Sequence, residues 1–287
     1  MKKKILIIGG CGYIGSRLVS FFDKKYYSIK ILDNEIYGDP IKINNYKNDF
    51  KDININQLQK YECIIFLAAH SSVKSCNEDI NGAINNNIIN TKKLIDKIKK
   101  IPKIKFIFAS SAAIYNGSFK PAKEENKINF IPNQLYDISK FYMENYIIKH
   151  LKKYYILRFS TVSGCSPNQN KDLIVNKMYF DSIKSHKITV VNPNTKKSIL
   201  FIDDLCRAII KIVAIKKENM FGVYNLSSLN LTIGQIAKKI SNFKKSKIIK
   251  KKGITNYSFY TSNKKFSKNF NFKFTRNIKY MIESFNL

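Results

Sequence analysis

The apolar run Ile5-Leu6-Ile7-Ile8 passes directly into Gly9-Gly10-Cys11-Gly12-Tyr13-Ile14-Gly15. Four consecutive large aliphatic residues suit a strand buried on both faces, the kind found in parallel sheets. Glycines at 9, 12 and 15 allow a tight turn and a close backbone approach to a pyrophosphate. The helix that follows then aims free N–H groups at the negative charge. Strand, glycine loop and helix in that order predict a dinucleotide site and commit the chain to an α/β sheet. Asp33, 18 residues past Gly15, ends a second strand over 27–32. A carboxylate there accepts hydrogen bonds from ribose hydroxyls and repels a 2′-phosphate, which favours NAD over NADP. Asp49, after a third short strand, is a candidate for the adenine side.

A second motif lies further along. Tyr136 and Lys140 are four residues apart and share a helix face. Ser110-Ser111 precede them at the end of an apolar run, 105–109. A phenol with an ordinary pKa near 10 is a poor base at neutral pH. A neighbouring ammonium and an oxidised nicotinamide are both expected to lower it toward the working range. Lys140 can also reach a nicotinamide ribose, and Ser111 can hold a substrate hydroxyl. Tyr and Lys at this spacing are common by chance in so Tyr- and Lys-rich a chain. The placement after Ser111 and before Leu157-Arg158-Phe159 is what gives the pair weight.

Further apolar runs at 63–68 and 155–159, with helical periodicity over 14–24 and 84–98, complete an alternation of strands and helices. The alternation predicts a doubly wound parallel sheet. Residues 1–160 read as the dinucleotide-binding domain, with 198–215 returning to it. Residues 161–287 read mainly as a smaller mixed substrate lobe.

Composition narrows the function classes. The formal charge is +31, yet only four of the 51 basic residues are Arg. Arg is the side chain suited to bidentate phosphate and base recognition. Lys is spread along the chain beside abundant Asn and Ile. The charge therefore reads as a solvated surface, favourable to an anionic small molecule, with neither nucleic acid nor membrane as the expected partner. No apolar run approaches the roughly 20 residues of a membrane span, and the first strand starts too early for a signal peptide, so a cytoplasmic protein is expected. The five cysteines stand singly without metal-ligand spacing, and no metal is expected.

On these motifs the chain resembles the NAD-dependent epimerase/dehydratase family of extended short-chain dehydrogenases/reductases, along nearly its whole length. The resemblance rests on Gly9 to Ser16, on Asp33-Asn34 and on Asn48 to Asp52. It continues through Phe66-Leu67-Ala68-Ala69-His70, Ala109 to Tyr115, Tyr136/Lys140 and Phe201-Ile202-Asp203-Asp204. It implies NAD contacts from Gly9, Gly12, Tyr13, Ile14, Gly15, Asp33, Asn34, Asp49, Phe50, Ala68, Ala69, His70 and Asn87, together with Tyr136 and Lys140. It implies catalysis by Ser111, Tyr136 and Lys140. Substrate contacts would come from Ser111, Thr161, Asn176, Lys197 and Lys252. His70 is open between a ribose contact and an acid/base, and Cys165 between a loop cysteine and an acid/base.

The implied activity is NAD-dependent epimerisation of a nucleotide-sugar at C4 through a transient 4-keto sugar, in a homodimer serving polysaccharide biosynthesis. Ala112 stands where dehydratases carry an acid after the catalytic hydroxyl, which argues against elimination. Thr161 replaces a frequent Asn. Lys197, and Lys251 or Lys252, replace Arg residues that grip the diphosphate. A nucleotide-sugar reductase or dehydrogenase using the same residues is the nearest alternative. A non-catalytic NAD- or nucleic-acid-binding protein is the alternative of another class.

Overall fold

The computed structural model describes residues 1–42, 45–118, 120–126, 128, 134–215, 218–253 and 258–285. Its centre is a seven-stranded parallel sheet. The strands are β1 (Lys3–Ile8), β2 (Tyr27–Asp33), β3 (Asn45–Lys47), β4 (Cys63–Phe66), β5 (Lys105–Ser111) and β6 (Tyr154–Phe159). After the short strands β7 (Thr161–Ser163), β8 (Lys187–Val191) and β9 (Lys196–Phe201), β10 (Gly222–Leu226) closes the sheet. Its order is β10-β6-β5-β4-β1-β2-β3. The chain reverses direction of travel across the sheet between β1 and β4, and ligands of such sheets bind at that switch, beyond the strands' carboxyl ends.

Alternation along β1 sorts its side chains. Ile5 and Ile7 pack on one face with Leu18, Leu205, Ile209 and Ile212. Leu6 and Ile8 pack on the other with Leu94, Ile95, Ile98, Met143 and Ile147. The first face is covered by helices Tyr13–Val19 and Ile202–Ala214, the second by Thr91–Lys99 and Leu135–His150. Both faces are therefore apolar, which accounts for the unbroken aliphatic run. The smaller lobe holds β9 between β7 and β11 (Leu229–Thr232), and β8 beside β12 (Lys247–Lys251). Its core gathers Val175, Tyr179, Ile188, Phe201, Ile236 and Ile282.

Three details differ from the sequence expectation. The first helix ends at Val19 rather than 24, where the ladder tightens: the N–H groups of Ser20, Phe21 and Phe22 donate three residues back to the Arg17, Leu18 and Val19 carbonyls. The helical stretch at 84–98 is broken by a π-turn over Asn85–Asn90. The segment 198–215 reaches the main domain's core through its helix and through Leu200, while β9 hydrogen-bonds with β7 and β11 and sends Ile199 and Phe201 into the small lobe's core. β10 and the aromatic residues Phe266, Phe270 and Phe272 also join the main domain's core.

Candidate active site

The glycine loop connects β1 to helix Tyr13–Val19. Gly9 has φ +83°, and a Cβ there would stand 2.6 Å from the Ala68 nitrogen. Gly9 is thus required both by its backbone and by the approach of the loop after β4. Gly15 lets the helix sit on the loop, since its Cβ would lie 2.5 Å from both Gly10 Cα and the Gly9 carbonyl. A Cβ on Gly12 would meet nothing closer than 3.5 Å, so its smallness serves no protein neighbour and leaves room toward a ligand. Ile14 packs against the core beneath.

A cleft opens at the switch point. Gly9, Asp33, Asn34, Asp49, Phe50, Ala68, Ala69 and His70 all line it, and Tyr37, Asn48, Ser71, Ser75 and Asn86 join them. Asp33 Oδ2 accepts the Cys11 N–H at 2.9 Å and Oδ1 the Glu35 N–H at 2.8 Å. Its carboxylate is thereby fixed at the end of β2. Asp49 caps the next turn by accepting the Lys51 N–H at 3.0 Å. Phe50 is buried edge-on against Phe66, with ring centroids 5.0 Å apart.

Asn87 is buried in the π-turn. It accepts the His70 N–H at 2.8 Å and donates to the His70 carbonyl at 3.1 Å. The wider π geometry brings this side chain inward, as such bulges often do near functional sites. In this arrangement Asn87 orients the loop at the cleft wall. The His70 ring is half-buried, with Nε2 3.3 Å from Asp79 Oδ2.

The proton-transfer residues meet beside this cleft. Ser111 ends β5 and caps the turn Ala112–Tyr115 by accepting the Ala113 N–H at 3.1 Å. Tyr136 shares a hydrogen bond with Ser111. Lys140 Nζ is buried, donates to the Ala109 carbonyl at 2.8 Å and lies 6.0 Å from the centroid of the Tyr136 ring. One expectation is corrected by this geometry. Burial pushes the Tyr136 phenol up to about 12, against the lowering effect of the Ser111 hydrogen bond. Lys140 is itself lowered to about 8 by burial, opposed by the negative charge of Glu144. The ammonium anchors to a strand carbonyl, so the chain's own groups do not hold the phenol in the working range.

Behind these residues lies a buried ion pair that sequence reading missed. Arg158 on β6 and Glu144, one turn beyond Lys140, approach to 2.6 Å. Ser110 donates to Glu144, and Arg158 to Tyr115. The turn that begins at Ser111 is therefore held at both ends. The available signals were an Arg within an apolar strand and a Glu four residues past the candidate Lys. Ala112, Ala113, Ile114, Tyr115 and Phe259 form an apolar floor against which Tyr136 packs.

The remaining candidates separate. Thr161 begins β7 and is half-buried. Lys197 on β9 lies 5.6 Å from the Phe259 ring centroid and is lowered to about 8 by burial, on the same apolar floor as Tyr136. Lys252 is exposed just beyond β12. Asn176 is fully buried, and its amide is engaged by protein: Oδ1 accepts from Ser163 and Gly164 at 3.0 Å, while Nδ2 donates to Tyr13 Oη at 3.1 Å. Tyr13 Oη in turn donates to the Gly164 carbonyl at 2.7 Å. Both side chains tie the glycine loop to the segment after β7. Cys165 lies in that segment, half-buried, its thiol raised by burial. Among the described residues no cluster of His, Cys, Asp or Glu could hold a metal ion, and no helix is long and apolar enough to cross a membrane.

A dinucleotide cradle at the switch of a parallel sheet, with Ser, Tyr and Lys beside it, defines a short-chain dehydrogenase/reductase. The profile of the NAD dependent epimerase/dehydratase family matches residues 5–227, and the chain belongs to that family. Its cofactor is NAD, which the Gly9/Gly15 cradle and the fixed Asp33 carboxylate fit.

Among relatives, the dTDP-D-glucose 4,6-dehydratase of Dictyostelium discoideum is 27% identical over 274 residues, 84% of this chain and 62% of that protein's length. A putative UDP-glucose 4-epimerase of Methanocaldococcus jannaschii is 27% identical over 231 residues, 75% of this chain and 74% of the relative. The solved UDP-glucuronic acid 4-epimerase from Bacillus cereus, in complex with UDP-glucuronic acid and NAD, shares the fold. The TM-score is 0.85 at 22% identity, covering 98% of this chain and 97% of that one.

Proposed function

We propose that the protein is an NAD-dependent epimerase acting at C4 of a UDP-sugar. The observation that carries this reading is the Ser111–Tyr136–Lys140 set with Ala112 and Ala113 following Ser111. Tyr136 takes the proton of the C4 hydroxyl. Ser111, bonded to Tyr136, holds the substrate oxygen through the proton transfer. Lys140 fixes the Ala109–Ser111 strand end and offers its charge to the cofactor ribose. NAD held by the Gly9/Gly15 cradle and Asp33 would supply reversible hydride chemistry at C4, so that no net oxidant is consumed. Positive charge on the oxidised ring, once bound, would favour the Tyr136 phenolate, which burial in the protein alone holds up at about 12.

Elimination of water from a neighbouring carbon needs an acid beside the catalytic hydroxyl. Ala112 and Ala113, both buried, offer none. Lys197 and Lys252 would bind the diphosphate as point charges.

Incubation of the purified chain with UDP-glucose, UDP-galactose or UDP-glucuronic acid tests the reading. The expected result is the C4 epimer with no net NADH. Net NADH would favour a dehydrogenase, and loss of water a dehydratase. A homodimer joined through helix Leu135–His150 belongs to the same proposal.

A further inference from the structure

The segment running from Gly164 to Asn170 lies across the glycine loop as a strap. Ser166 Oγ donates to the Tyr13 carbonyl at 2.6 Å and lies 2.9 Å from Ser16 Oγ. The Asn168 N–H donates to Ser16 Oγ at 3.2 Å. The Asn168 side chain then spans two separate pieces of chain. Its Nδ2 donates to the Cys11 carbonyl at 2.8 Å and to the Tyr37 carbonyl at 3.2 Å.

Cys11 belongs to the glycine loop, whereas Tyr37 belongs to the connection between β2 and β3 and lines the cofactor cleft. One carboxamide thus joins two borders of the cleft, using both its N–H donors on two backbone carbonyls. The strap is anchored at each end. Gly164 N–H is accepted by Asn176 Oδ1 at 3.0 Å, and the Asn170 carbonyl accepts from Asn176 Nδ2 at 2.8 Å. Inside it, Gln169 Oε1 accepts the Ser166 N–H at 3.0 Å. A strap this fully bonded is a preformed structure.

We propose that Asn168 is a cofactor-retention residue, whose side-chain amide clasps the glycine loop to the Tyr37 segment so that NAD leaves only when both hydrogen bonds break. The clasp positions the cleft's borders and takes no part in proton transfer. A reaction that regenerates its oxidised cofactor in every cycle gains from such retention. The inference agrees with the epimerase reading but does not depend on which sugar is turned over.

The test uses the full chain loaded with NAD and chased with excess isotopically labelled NAD, so that release is read without any sugar. Asn168→Ala is expected to release NAD roughly 30-fold faster, the worth of two ordinary hydrogen bonds, with little change in the association rate. Asn168→Asp is expected to release at least as fast, because it turns an acceptor toward two carbonyls. Ser166→Ala, which removes the Ser166 hydroxyl's contacts with Tyr13 and Ser16 but keeps the Asn168 N–H bond to Ser16, is expected to give a smaller acceleration. Wild-type release rates in natively folded Asn168→Ala would overturn the proposal. So would faster release accompanied by an equal loss of thermal stability before NAD is added, which would make the strap a general support. If Asn168→Ala does not fold, Asn168→Asp and Ser166→Ala decide by the same criteria.

Discussion

At the scale of single residues, the chemistry turns on how a phenol in a dry site becomes a base. Burial favours the neutral form, so Tyr136 in the protein alone lies above the ordinary tyrosine value, at about 12. The phenolate difference absorbance of wild type minus Tyr136→Phe is therefore expected to develop near pH 12 without NAD. Addition of oxidised NAD is expected to move it several units lower, because the positive ring favours the anion. An unmoved titration would show that something other than the cofactor's charge activates the base. Tyr136→Phe is also expected to lower epimerase kcat by roughly 10²–10⁴-fold while leaving NAD affinity near wild type, the loss typical of a removed general base. Release of bound nucleotide and its quantitation separate the two effects. Tyr136, Lys140 and Ser111 were legible in the sequence because their chemistry is tied to a spacing and to a strand end. The titration of Tyr136 was not. It depends on how deeply the fold buries the phenol, which spacing alone does not reveal.

At the scale of elements, strand β6 and helix Leu135–His150 are held in register by the Glu144–Arg158 pair, and Ser110 on β5 donates to the same Glu144. Both partners are almost wholly buried, so removing one strands the other's charge. Arg158→Met is expected to destabilise the fold by about 3–5 kcal/mol in denaturant unfolding. The isosteric Glu144→Gln, which keeps acceptor capacity for Ser110 and Arg158, should cost less. Equal stability of Arg158→Met and wild type would remove the pair from the account. A second device sits at the far end of β5, where Lys105 Nζ donates to the Ile212 and Ile215 carbonyls at 2.8 Å. A cation there meets the negative end of helix Ile202–Ala214. Burial nevertheless lowers Lys105 to about 8. The unfolded chain keeps that proton up to about 10.4, so between these values it binds more protons than the folded chain, and stability rises with pH across that window. The contribution is lost as pH falls through about 8. Cys63, pushed up to about 12 by burial, acts in the opposite sense at higher pH, so the comparison belongs at the lower end of the window. Lys105→Met is expected to show a shallower rise than wild type between about pH 7.5 and 8.5 in urea melts. A parallel rise in both proteins would assign the effect elsewhere. These devices escaped the sequence because their partners lie far apart in the chain: periodicity marks which face of an element is buried, but not which distant polar group meets it there.

At the scale of the whole molecule, the alternation of apolar runs and helical periods was enough to anticipate the parallel sheet, because both faces of its strands must be covered. The contributions of β10 and the Phe266–Phe272 segment to the main domain were not legible, since short aromatic stretches near the C-terminus carry no mark of which layer they join. The same face logic gives the molecule's outer surface a meaning. On helix Leu135–His150, positions 136, 140 and 144 form the stripe turned to the active site. Positions 138, 142 and 146, two residues out of step, form the opposite stripe. Ile138 and Tyr142 are 42% and 44% exposed there, and Ile89, in the neighbouring π-turn, is 41% exposed. Tyr146 closes the stripe with its hydroxyl donating to Asp96 at 2.6 Å and Lys92 Nζ 5.4 Å from its ring centroid. A mixed apolar and aromatic face on two adjacent helices suits pairing with its own copy about a two-fold axis, which would bury the same residues on both subunits. The stripe's other side carries the catalytic residues, so pairing would also stiffen the helix that holds Tyr136 and Lys140. Sedimentation equilibrium is expected to report a dimer for the wild type and a monomer for Tyr142→Glu, which puts a carboxylate into the exposed apolar face. Activity per chain should fall in the monomer, with NAD still bound. A wild type that sediments as a monomer at micromolar concentration would leave that face for another use.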